Sequence, residues 1–121
     1  MKNLLFICLL YASLYSDNPE LYQTGEKLYF SKGCNGCHGI KAQGMLTYPS
    51  LANVAKGFLT YKLKRFREGK SDTQQQELML AFALELKDDE IDALVHFLHN
   101  FTDEQTQYYD IEVENWGDGG S

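Results

Sequence analysis

Five consecutive residues, Cys34-Asn35-Gly36-Cys37-His38, hold most of the reactive chemistry this chain offers. Two thiols three positions apart can each add to one of the two vinyl groups of a single haem, and the resulting thioethers hold the porphyrin. His38 is then placed to coordinate the iron from one side. Two other chemistries use the same atoms. A thioredoxin-like dithiol needs a βαβ setting, which the surrounding pattern lacks. A zinc site needs four ligands; His96 and His99 could complete a Cys2His2 set by counting alone. The histidine directly after Cys37, together with the export signal and helical frame described below, favours haem.

A haem bound by His38 leaves the other axial position to be filled. A thioether there closes the site and raises the reduction potential, whereas an open position admits small ligands. Apart from Met1, the methionines are Met45 and Met79. Met45 follows His38 too closely to reach the opposite face easily. Met79 lies beyond an intervening helix and can come round the other side, so it is the expected second ligand. Its alternative use is as an adaptable core residue on an amphipathic helix.

The elements that must position these groups read as helices. Asn18-Pro19 opens the first, with a capping side chain followed by proline in the first turn. Leu21, Tyr22, Leu28 and Tyr29 recur at helical spacing until Ser31-Lys32-Gly33. Residues 34–49 carry Gly36, Gly39 and Gly44 and predict a loop. Helical period resumes from Leu51 to Phe66, returns from Gln74 to Leu84, and returns again from Asp88 to Phe101. In that last run Ile91, Leu94, Val95, Leu98 and Phe101 form one apolar stripe. Its early acids complement the helix dipole. His96 and His99 are expected to be surface or half-buried residues. No strand period appears, and the expected fold is all-α, about four helices around one cofactor.

Charge and hydropathy divide the chain further. Met1-Lys2-Asn3, an apolar run from Leu4 to Leu14 and then Ser16 read as an export signal over residues 1–16, which takes Cys8 with it. That run is shorter than the roughly 20 residues a membrane span requires, so no stable span is expected once the signal is removed. Residues 17–102, the expected domain, hold ten Lys/Arg and eleven Asp/Glu, whereas residues 103–121 hold six acids and no base. The acidity therefore belongs to the tail, which lacks helical period and is expected to be flexible. Neither part has the basic face that nucleic-acid binding requires.

Nearly all of residues 18–102 resembles the small monohaem cytochromes c of bacteria. Gly25 with Tyr29 resembles that family's Gly-x-x-x-aromatic pair, which packs on the last helix, here near Leu94, Phe97 and Leu98. Cys34 to Gly39 is similar to the attachment motif, and Leu63-Lys64-Arg65-Phe66-Arg67-Glu68-Gly69-Lys70 to its Leu-x-x-Phe-x-x-Gly-Lys helix end. Tyr48-Pro49-Ser50-Leu51-Ala52 resembles the segment whose proline carbonyl accepts a hydrogen bond from the proximal histidine. The resemblance implies that role for Pro49 toward His38, and it places Met79 where the axial methionine stands. It implies one haem c with its iron, periplasmic location and single-electron exchange with other redox proteins or a membrane respiratory complex. Lys87 departs from the pattern, standing where a serine cap is usual, so that Asp88 is expected to cap the last helix.

Three functions remain distinct at this level. The chain is a free electron carrier, the cytochrome subunit of a larger exported oxidoreductase, or a haem sensor with an open distal position. None makes it an enzyme by itself. Lys62, Lys64, Arg65, Arg67 and Lys70 form the densest basic cluster, which reads either as a solvated helix face or as a patch steering acidic partners.

Overall fold

The computed structural model describes residues 18–104; the expected leader and the tail beyond residue 104 lie outside the described residues. The first helix, α1 (Pro19–Ser31), begins where Asn18 Oδ1 accepts the Leu21 N–H at 3.1 Å. Gly33, at φ +79°, turns the chain out of it. A single turn, α2 (Asn35–His38), follows at once. The remaining helices are α3 (Lys56–Arg67), α4 (Leu78–Ala83), entered through a 3-10 turn at Gln75–Glu77, and α5 (Asp88–His99).

The core is the crossing of α1 on α5. Gly25 leaves room for the other backbone: a β-carbon there would stand 2.0 Å from the Ala93 carbonyl oxygen and 2.6 Å from Phe97 Cβ. Ala93 and Phe97, rather than Leu94 and Leu98, are thus the residues opposite this glycine. Around it Phe97 meets Tyr22 edge-on at 5.1 Å and Tyr29 at 5.5 Å between ring centroids. Tyr29, Ile91 and Phe97 are completely covered. Aromatic pairs in this geometry add stabilisation beyond their buried area.

The described residues form no strand, only an isolated bridge between Met45 and Tyr48, and the all-α expectation holds. Three boundaries differ from it. The expected 34–49 loop contains α2. The expected 74–84 helix splits at Leu78 into a 3-10 turn and an α-helix. The run expected to be helical from Leu51 becomes so only at Lys56. There the N–H groups of Leu51 and Ala52 both bond the Ala42 carbonyl, at 2.8 and 3.1 Å, and Asn53 takes a left-handed φ of +63°. Asn53 then closes the end of α5: its N–H donates to the Leu98 carbonyl, and its Nδ2 to those of His99 and Phe101. These carbonyls are among the groups a helix end leaves without partners.

The start of α5 also differs from expectation. Lys87, not Asp88, is the residue before the first turn, and Glu90 Oε1 reaches back to accept the Lys87 N–H at 3.0 Å. This is the glutamate half of a capping box, and it needs no side-chain oxygen at Lys87.

Candidate functional site

The end of α1 and the turn α2 place the reactive residues. Cys34 N–H bonds the Tyr29 carbonyl at 3.0 Å, and His38 N–H bonds the Cys34 carbonyl at 3.0 Å. One helical turn thus carries Cys34, Cys37 and His38 to the wall of the same cavity. The Tyr29 hydroxyl donates to the Gly39 carbonyl and ties the far end of the turn back to α1. Burial raises that phenol above its ordinary range.

His38 is buried, and its Nδ1 lies 2.8 Å from the Pro49 carbonyl oxygen. A carbonyl only accepts, so the ring donates from Nδ1, and in the neutral imidazole this leaves the lone pair on Nε2. The chain reaches this arrangement through a tight reversal. Gly44 N–H bonds the His38 carbonyl at 2.7 Å, and a β-carbon on Gly44 would lie within 2.9 Å of the Tyr48–Ser50 backbone. Its φ of +81° also favours glycine.

The cavity measures about 500 Å³, within the roughly 300–1,000 Å³ range of cofactor clefts. Its wall is mainly apolar. Phe58, Leu59, Leu63 and Phe66 come from α3, Met79 and Phe82 from α4, and Leu94 and Leu98 from α5. Met79 and His38 therefore line one space. Met45 is not on that wall and is 45% exposed.

The competing metal and thiol chemistries find no support in this geometry. His99 Nδ1 donates to the Val54 carbonyl at 2.8 Å. Among the described residues no three His, Cys, Asp or Glu side chains gather to hold a metal ion, so His96 and His99 do not complete a zinc site. Burial pushes the Cys34 thiol up to about 11, although its backbone hydrogen bond and Lys32 pull the other way. A redox-active dithiol wants the opposite shift.

The comparisons agree with this cavity. Residues 22–102 match the family model Cytochrome c. The chain belongs to the cytochrome c family. It is similar to the thiosulfate dehydrogenase electron acceptor of Stutzerimonas stutzeri (strain A1501), with 31% identity over 81 residues, 65% of this chain and 36% of that protein. It is also similar to reduced recombinant cytochrome c4 from Pseudomonas stutzeri, with a TM-score of 0.62 and 26% identity. That match covers 70% of this chain and 50% of the solved one. The chain thus spans between about a third and a half of the length of these two relatives.

Family membership brings haem c, covalently attached, with its iron, and Cys34 and Cys37 stand at the spacing this attachment uses. The structure fits such a group. Two cysteines that form no disulfide and a histidine with a free Nε2 open on one large, mainly apolar cavity, with a methionine on the same wall.

Cytochrome c membership does not by itself point to Lys62, the lysine on the cavity wall. In the sequence it falls within the basic cluster of residues 62–70. The signal was present, because Lys62 is four residues from both Phe58 and Phe66 and shares their helical stripe. Within the cluster Lys64 and Lys70 are exposed, and four of its five members form ion pairs. Lys62 and Arg65 both pair with Asp72, at 3.0 and 2.8 Å, Arg67 with Asp88 at 2.7 Å, and Lys70 with Glu68 at 3.3 Å.

Proposed function

We propose that this chain carries single electrons between redox proteins. Haem c would be held through Cys34 and Cys37, with His38 and Met79 as the residues that would bind its iron and Pro49 orienting His38. The observation that carries the reading is the His38–Pro49 bond at 2.8 Å on a cavity that Met79 also lines. When bound, the group supplies a one-electron ferrous–ferric couple.

The chain's residues do the rest. The Pro49 carbonyl fixes the tautomer and plane of His38 and increases its basicity. Phe58, Leu63, Phe66, Phe82 and Leu94 give the cavity an apolar wall, which would disfavour the more highly charged oxidised centre. Met79 would supply a neutral, polarisable sulfur to the iron, a ligand that favours the reduced state. No substrate pocket is needed for this work, and the chain is not an enzyme on this reading.

Export to the periplasm, with residues 1–16 as leader, residues 17–102 as the cytochrome domain and residues 103–121 as an acidic tail, belongs to the same proposal. Among the described residues no helix is long and apolar enough to cross a membrane. A second reading, the cytochrome subunit of an exported oxidoreductase, draws on the name of the thiosulfate dehydrogenase electron acceptor. Deleting residues 103–121 tests it: loss of co-purification with an oxidoreductase favours the subunit, and intact complexes favour the free carrier.

The test of the main proposal is an optical spectrum of periplasm-matured protein, oxidised, reduced and then exposed to carbon monoxide. A covalent haem spectrum with the weak long-wavelength methionine–iron band, unaffected by carbon monoxide and lost in Met79→Ala, is expected. An immediate shift with carbon monoxide removes Met79 as ligand and moves the reading to a sensor with an open site.

A further inference from the structure

Met79 stands on a short helical segment between α3 and α5. Gln75–Glu77 is a single 3-10 turn and Leu78–Ala83 a short helix, and helices of this length are marginal alone. Ala83 of α4 is buried, and Leu78, Met79 and Phe82 face the cavity.

Both ends of the segment are instead fastened to α3 by its basic residues. At the front, Lys62 Nζ donates to Asp72 Oδ2 and to Gln76 Oε1, each at 3.0 Å. Gln76 Oε1 also accepts the Asp72 N–H at 3.1 Å, and Arg65 Nη2 donates to Asp72 Oδ1 at 2.8 Å. At the back, Arg67 Nη1 reaches the Leu86 carbonyl at 3.0 Å and Asp88 at 2.7 Å. A solitary exposed ion pair would fix little. Lys62 differs, because its side chain is only 16% exposed, lines the cavity and lies with its ammonium 5.1 Å from the Phe66 ring centroid. Two acceptors and an aromatic face thus surround one largely covered charge.

We propose that Lys62 is a positioning residue for Met79: with Asp72 and Gln76 it latches the front of residues 72–86 to α3 and thereby fixes where the thioether stands in the cavity. This rests on the reading of Met79 as axial ligand. Lys62 Nζ is taken up by Asp72, Gln76 and the Phe66 ring. It acts through the segment, and three members of the basic cluster, Lys62, Arg65 and Arg67, serve as fasteners between elements.

The test compares Lys62→Met, Lys62→Arg and Lys70→Gln in the full, haem-loaded chain. Methionine keeps the apolar stem and removes the charge, whereas Lys70 pairs with its near neighbour Glu68 on the same helix end. Two readouts are followed: the rate of carbon monoxide binding to the reduced protein, and hydrogen exchange at the amides of residues 75–84. In Lys62→Met both should rise about tenfold, as loss of a charge-assisted hydrogen bond predicts, with exchange in α5 unchanged. Lys62→Arg should restore most of the effect. Rates in Lys62→Met that match those of Lys70→Gln overturn the latch. If the parent protein shows no methionine–iron band yet exchange at residues 75–84 rises, the latch holds the segment and the ligand reading is what fails. If the band is present and neither rate moves, the latch fails and the ligand reading stands.

Discussion

Gly25 and Ala93 approach so closely that the β-carbon of any other residue at position 25 would lie 2.0 Å from the Ala93 carbonyl oxygen. The obstructing atom is backbone on a packed helix, so it cannot swing aside as a flexible side chain would. Gly25→Ala should therefore separate α1 from α5 and lower stability by about 3 kcal/mol or more, at the upper end of overpacking effects. Urea unfolding of the haem-loaded protein measures this. A loss under about 1 kcal/mol would mean the crossing relaxes easily.

Gly44 links stability to the electronic state of the site. Its β-carbon would meet the backbone of Tyr48, Pro49 and Ser50 within 2.9 Å, and its φ is +81°. Gly44→Ala should displace the Pro49 carbonyl from His38 Nδ1. His38 then loses the acceptor that makes it a more basic ligand. The expected result is a higher reduction potential, together with about 1–3 kcal/mol less stability from strain. Voltammetry of the variant checks the direction, and an unchanged potential would show that His38 keeps its partner.

Asn53 offers a separation of backbone from side-chain effects. It adopts φ +63°, and its Nδ2 bonds two carbonyls at the end of α5, at 3.1 and 3.0 Å. Asn53→Gly keeps access to the left-handed backbone and loses both side-chain bonds; Asn53→Ala loses both bonds and adds strain. Asn53→Gly is expected to cost about 1–2 kcal/mol. The alanine variant should cost roughly another 1 kcal/mol. Thermal unfolding of the two variants side by side resolves the order. Equal losses would assign the whole effect to the side chain.

What could be read from sequence was local. The Cys34–His38 spacing, the apolar stripe of α5 and the Asn18-Pro19 helix opening each lie within a few turns of chain, where periodicity and capping operate. The late start of α3 was hidden because Leu51 and Val54 continue an apolar period, while the groups that prevent helix there are distant. The Ala42 carbonyl takes two N–H groups, and Asn53 is engaged with the end of α5. Lys62 was hidden for a related reason. Its charge suggests solvent, and only the folded position of Asp72 and Gln76 shows how a lysine can occupy an otherwise apolar stripe. The Pro49 carbonyl belongs to a third kind: a backbone group has no residue identity, and resemblance alone indicated it.

The ion pairs between α3 and the Met79 segment predict a specific acid response. Hydrogen bonding from Lys62, followed by the charges of Arg65 and Lys62, holds the Asp72 carboxyl below its usual range. Arg67 does the same for Asp88 through a hydrogen bond and its charge, with a smaller contribution from Lys64. Each group is more acidic folded than unfolded, where a carboxyl of this kind titrates near 3.9. Its contribution to stability is therefore fully present above roughly pH 5 and is lost as pH falls through the unfolded and then the folded value. The difference in stability between the parent chain and Asp72→Asn should be flat from about pH 5 to pH 7 and shrink below about pH 4. Both carboxyls are solvent-exposed, so the plateau difference should be modest and should diminish in high salt. Urea titrations at a series of pH values, at low and high salt, measure it. A difference that grows as the solution is acidified would reverse the sign and show that Asp72 is not held in its charged form by Lys62 and Arg65.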